Sequence, residues 1–215
     1  MIADLIKDKE FQELAKEYKF LNRVKGESIE TLSYVILDIE TTGLEPIANE
    51  ITEIGALKTN GTELKEVFSS LIKPILPIPP EITRLTGIDD ELVKDAPPAK
   101  NVLTRFFDFL GSSVLVAHNA DFDLSFLKHH IKKSLGKELP NSIACTVKIS
   151  RHLLPNLANH KLHTVASHFG LKIANRHRAI GDAELTYFIW EKFIPMLKEK
   201  NIANKSDLDL LMSKL

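Results

Sequence analysis

The run Tyr34-Val-Ile-Leu-Asp-Ile-Glu40 constrains this chain more than any other segment. It is short, apolar and partly β-branched, and Thr41-Thr42-Gly43 ends it, so it reads as a buried strand. Alternate residues of a strand share a face. Asp38 and Glu40 therefore point the same way, while Ile39 points into the core. Two carboxylates on one face are costly unless something positive sits between them, typically a divalent metal. The spacing alone is weak evidence, because Asp-x-Glu recurs at Asp8/Glu10, Asp89/Glu91 and Asp182/Glu184. Only Asp38/Glu40 interrupts an apolar strand that ends in a glycine turn. The plainer alternative is an edge-strand pair facing water.

The rest of the chain reads as one α/β domain. Residues 2–21 carry apolar groups at helical spacing, and 22–31 read as a polar linker. Strands are expected over 50–57 and 64–72, with Asn60-Gly61 as the hairpin turn between them. A proline-rich loop over 74–80 leads into a short helix that ends at Gly87. Further helices are expected over 100–110, 122–135, 162–170 and 181–193, with Pro195 ending or kinking the last. Strands are expected at 114–117 and 143–146. Ser206 is the expected cap of a terminal helix carrying Leu208, Leu211 and Leu215.

Two more segments carry acids at element ends. In Val116-Ala-His-Asn-Ala-Asp-Phe-Asp123, a strand stops and a helix starts. Asp121 suits the helix cap and Asp123 suits an inward ligand, although both would also serve as acids matched to the helix dipole. In Asn175-Arg-His-Arg-Ala-Ile-Gly-Asp182, the aspartate opens a helix and shares the side of Leu185 and Ile189, which is the core face. His177 lies five residues earlier. Singly, each segment has a structural explanation. Together they bring four acids and a histidine to one kind of position. Four carboxylates suit two hard cations such as Mg²⁺ or Mn²⁺, the arrangement that clamps the attacking and leaving oxygens of an in-line phosphoryl displacement. A histidine titrating near pH 6.5 is the natural base for the attacking water.

The segments Asp38-Ile-Glu-Thr-Thr-Gly-Leu44, His118-Asn-Ala-Asp-Phe-Asp123 and His177-Arg-Ala-Ile-Gly-Asp182 resemble the three motifs of the DEDDh (DnaQ-like) 3′→5′ exonucleases. That family includes the proofreading epsilon subunit of bacterial DNA polymerase III and the exonuclease domain of Gram-positive replicative polymerases. The resemblance spans roughly residues 32–195 and extends to Ile51–Ala56 and Ile78–Ile88. It implies a ribonuclease-H-like fold, a mixed five-stranded sheet flanked by helices. It implies an exonuclease domain over 32–200, with helical extensions over 1–31 and 201–215. By motif position, Asp38, Glu40, Asp123 and Asp182 match the metal ligands and His177 the general base. Thr41 and Leu44 match positions that contact the terminal nucleotide. The implied substrate is nucleic acid with a 3′ end, DNA before RNA, and a non-catalytic nucleic-acid-binding module is the rival outside enzymes.

Composition fits this reading. No apolar run approaches the roughly 20 residues of a membrane span, the N-terminus has charges where a signal peptide needs an apolar block, and Cys145 is the single cysteine. A soluble cytoplasmic protein is expected. The net charge of −1, taken as a sum, argues against a nucleic-acid partner, but it is unevenly distributed. Between Lys128 and Arg178 lie ten Lys and Arg against one acid, Glu138, so this stretch carries +9 and the remainder −10. Such a basic flank suits a phosphodiester substrate. His160, His163 and His168 read as a polar, partly basic surface beside the site, since no carboxylate or cysteine completes a metal shell. Each terminal helix is expected to pack on its own domain, with a polymerase or clamp as the alternative partner of the last.

Overall fold

The computed structural model describes residues 26–172 and 178–215. The expected helix over 2–21 and His177 lie outside the described residues. Five strands form one mixed sheet: β1 (Ser33–Thr41), β2 (Ile51–Asn60), β3 (Glu63–Leu71), β4 (Val114–Ala117) and β5 (Ile143–Cys145). Their order is β3-β2-β1-β4-β5. The first three form an antiparallel meander, and β4 and β5 run parallel to β1. The helices are α1 (Pro80–Thr86), α2 (Asp90–Val93), α3 (Ala99–Leu110), α4 (Ala120–Leu135), α5 (Thr146–Leu153), α6 (Leu162–His168), α7 (Ala179–Glu199) and α8 (Lys205–Lys214).

Strand alternation separates two cores. Val35, Leu37 and Ile39 of β1 pack with Phe106 of α3 and with Phe126 and Leu127 of α4. Tyr34 and Ile36 pack on the other face with Trp190 and Phe193 of α7. The Tyr34 and Trp190 rings meet edge-on at 5.1 Å between centroids, which suits their quadrupoles. β3 is a solvated edge strand carrying Glu63, Lys65 and Glu66.

Two expected caps are corrected, and one helix runs further than expected. Asn119, not Asp121, stands at the start of α4, in the left-handed region at φ 70°, and no side chain caps the helix there. Asn204, not Ser206, caps α8, its side chain accepting from the Asp207 N–H. α7 runs through Pro195 to Glu199. Phe193, Ile194 and Leu197 are buried on either side of that proline. At roughly 1.5–3 kcal/mol each, their burial offsets the roughly 3 kcal/mol that an interior proline costs. α8 docks on its own sheet, where the Cys145 N–H donates to the Met212 sulfur at 3.3 Å.

Candidate active site

The acids converge at the C-terminal end of β1. Tyr34 and Ile36 face α7, and alternation carries Asp38 and Glu40 onto that same face where the apolar stretch gives out. Asp182 comes from the first turn of α7. One carboxylate oxygen from each of Asp38, Glu40 and Asp182 lies within 4.8 Å of the others, and all three residues are half-buried. Asp123 approaches from the first turn of α4. It is 3% exposed, and its Oδ1 accepts the Ile39 N–H at 3.2 Å.

The cluster is electrostatically stressed. Burial, and then the neighbouring Asp123, Glu40, Asp182 and Glu53, hold the Asp38 carboxyl well above the usual range. Burial, with Asp182 and Glu53 beside it, pushes Glu40 up to about 7. Burial also raises Asp123, although N–H groups donate to it. Without a cation, such a group takes up protons instead of staying ionised. Oxygen-only donors held this close fit a hard divalent ion. A guanidinium does come near, on Arg178, but it is committed elsewhere.

That commitment explains why Asp182 sits where it does. Glu53 lies on β2 opposite Glu40 and is 1% exposed. Its carboxylate accepts from Arg178 Nη2 at 2.7 Å, from Arg178 Nε at 3.0 and 3.2 Å, and from the Ala179 N–H at 3.0 Å. Arg178 immediately precedes α7, so the pair clasps the start of that helix to the sheet. Two residues further along β2, Gly55 lets the helix backbone come close. A Cβ there would stand 2.3 Å from the Ala179 carbonyl carbon and from the Ile180 nitrogen. Sequence reasoning gave no part in positioning α7 to Glu53, Gly55 or Arg178. Glu53 and Gly55 fell within an expected strand, and Arg178 counted only toward the basic stretch.

Thr41 is the last residue of β1 and Leu44 lies on the turn that follows, beside the acids. The Thr41 hydroxyl donates to the Gly43 carbonyl at 2.6 Å, which fixes the turn, and Leu44 is 77% exposed. Pairing shifts here as well. Glu40 lies opposite Glu53 but Thr41 opposite Ile51, so Thr52 bulges out of the ladder. His118 follows β4. Its Nε2 and Nδ1 bond the His160 carbonyl and the Thr146 hydroxyl, and burial lowers it to about 4, so the ring is neutral. His160 itself bonds Ser150.

An open five-stranded mixed sheet with carboxylates from β1, α4 and α7 at one strand end is an architecture shared with known nucleases. The chain belongs to the exonuclease family: the family model, described as an exonuclease of the RNase T type, matches residues 35–189. The PolC-type DNA polymerase III of Caldanaerobacter subterraneus subsp. tengcongensis is 44% identical over 191 residues, covering 88% of this chain and 14% of that protein. The PolC-type enzyme of Bacillus subtilis is 36% identical over 182 residues, covering 84% and 13%. The chain thus spans about one-seventh of the length of these relatives. Among solved structures, Exonuclease X in complex with 5′-overhanging duplex DNA matches with a TM-score of 0.66 and 25% identity, over 83% of this chain and 99% of that one. Escherichia coli Exonuclease I in complex with a dT13 oligonucleotide shares the fold, with a TM-score of 0.70 and 16% identity over 79% of this chain and 42% of that one. No helix among the described residues is long and apolar enough to cross a membrane.

Proposed function

We propose that this chain is a divalent-metal-dependent 3′→5′ exonuclease that releases 5′-mononucleotides from DNA ends, in proofreading or repair in the cytoplasm. The convergence of Asp38, Glu40 and Asp182 oxygens within 4.8 Å, in a member of the exonuclease family, carries this reading. Asp38, Glu40, Asp123 and Asp182 would hold two ions of Mg²⁺ or Mn²⁺. Bound there, the ions would supply Lewis acidity and positive charge among the carboxylates.

The remaining steps belong to the chain's own residues. Thr41 and the exposed Leu44 seat the terminal nucleotide, the leucine against its base. His177, one residue before the clasped Arg178, takes the proton of the attacking water. The water oxygen bonds the terminal phosphorus, the bond to the upstream 3′-oxygen breaks, and that oxygen ends as a 3′-hydroxyl on the shortened strand. A polymerase is the natural partner, since the relatives that match are PolC-type polymerases.

The test uses 5′-labelled single-stranded DNA, duplex DNA and RNA, each incubated with the protein and Mn²⁺. DNA ladders that shorten from the 3′ end, and vanish in EDTA, are the expected result. Cleavage that persists in EDTA sinks the metal mechanism, and faster digestion of RNA overturns the choice of DNA.

A further inference from the structure

At the turn that leads to Asp123 is a cavity of about 460 Å³, lined by His118, Asn119, Arg151, Asn159, His160 and Lys161 among others. Three observations bear on what fills it. First, it adjoins the acids. His118 and Asn119 belong to the same short turn that leads to Asp123. Val116, two residues before His118, pairs with Ile36, two residues before Asp38. Second, its charge is uncompensated. Among the described residues, neither the Arg151 nor the Lys161 side chain has an acidic partner or a hydrogen bond, and both are exposed. Nearby Lys148, by contrast, is 3.6 Å from Asp121. Third, its wall is fixed. His118 donates to the His160 carbonyl, His160 bonds Ser150, and Asn159 accepts from the Lys161 N–H and the Thr164 hydroxyl. The two cations therefore stand on a braced scaffold and not on a loose loop.

We infer that this cavity is a subsite for the phosphodiester backbone of the substrate strand, one or two nucleotides to the 5′ side of the scissile bond. This deepens the exonuclease reading and rests on it. The acids select the bond to be cut, and Arg151 and Lys161 hold the strand that remains. The location gives the basic stretch between Lys128 and Arg178 a specific task. A strand held by its phosphates is gripped without regard to sequence, as an exonuclease requires.

The experiment compares wild type with the double variant Arg151→Gln/Lys161→Gln, using fluorescein-labelled dT12. Turnover is measured with Mn²⁺. Binding is measured by anisotropy in an Asp182→Asn background between 50 and 200 mM NaCl. The double variant should raise KM by about tenfold or more while kcat moves much less. Its plot of log Kd against log salt should flatten by about 1.4, at roughly 0.7 per single-strand phosphate contact. Arg151→Lys, which keeps the charge, should recover most of the loss. Both side chains are exposed and unbonded, and an unchanged thermal midpoint checks that the fold holds. An active wild type whose double variant keeps the same KM and salt slope overturns the subsite alone. Wild-type protein that releases nothing from dT12 overturns the exonuclease reading instead.

Discussion

Glu53 sets the position of Asp182 although it carries none of the proposed chemistry. Its buried carboxylate accepts from both the Arg178 guanidinium and the Ala179 N–H. Glu53→Gln keeps the volume and an acceptor for Ala179 but loses the ion pair. Arg178 is 42% exposed and can turn to water, so the loss in stability should be modest, about 1–2 kcal/mol by urea denaturation. Turnover should fall more than that loss suggests, because the first turn of α7 is no longer pinned. Wild-type turnover in Glu53→Gln would reduce the clasp to a surface detail. Asp182→Asn is expected to lower turnover by about a hundredfold or more, read on labelled single-stranded DNA with Mn²⁺. The two kinds of residue differ in legibility. Asp38 and Glu40 stand out because acids break an apolar strand pattern at period two. Glu53 sits in an equally apolar strand, but its partner lies 125 residues away, and no local pattern links them.

At the scale of elements, the site depends on how closely α7 approaches β2. Gly55→Ala would place a methyl group against helix backbone, which cannot swing aside as a side chain would. The variant should lose about 2–3 kcal/mol and nearly all turnover, since relief of the clash moves Asp182 away from Asp38 and Glu40. Thermal melts and a ladder assay check both parts, and full activity in Gly55→Ala would mean that the helix tolerates a second position. The strands and helices were largely legible, because period-two and period-3.6 apolar patterns report burial directly. Their ends were not. The turn before α4 uses a left-handed Asn119 where a capping aspartate looked natural, and α7 continues past Pro195 because the residues around it are buried. Caps and continuation are decided by packing, which a local pattern does not contain.

For the whole molecule, folding gathers like charges, and this couples stability to pH and to cations. The net charge of −1 concealed this, because a basic stretch cancels the acids in the sum. Glu40 is raised from an ordinary 4.5 to about 7 in the folded chain. Between those values the native state holds more protons than the unfolded chain, so this group's contribution to stability falls as pH rises through that window. Above pH 7 the penalty is complete, at about 2 kcal/mol once partial exposure is allowed for. Half-buried His118 and buried His130 act the other way, since desolvation lowers both and the native state binds fewer protons than the unfolded chain below about 6.5. The clean readout is therefore a difference between proteins. In EDTA, Glu40→Gln should unfold at nearly the same midpoint as wild type at pH 5 and at a higher one at pH 8. With Mn²⁺ at pH 8, the order should reverse, because wild type gains the binding energy of the ion and the variant loses part of it. A Glu40→Gln protein less stable than wild type at pH 8 in EDTA would mean that the carboxylates are not in electrostatic conflict. In that case the case for a cation between them would fail together with the two-metal reading.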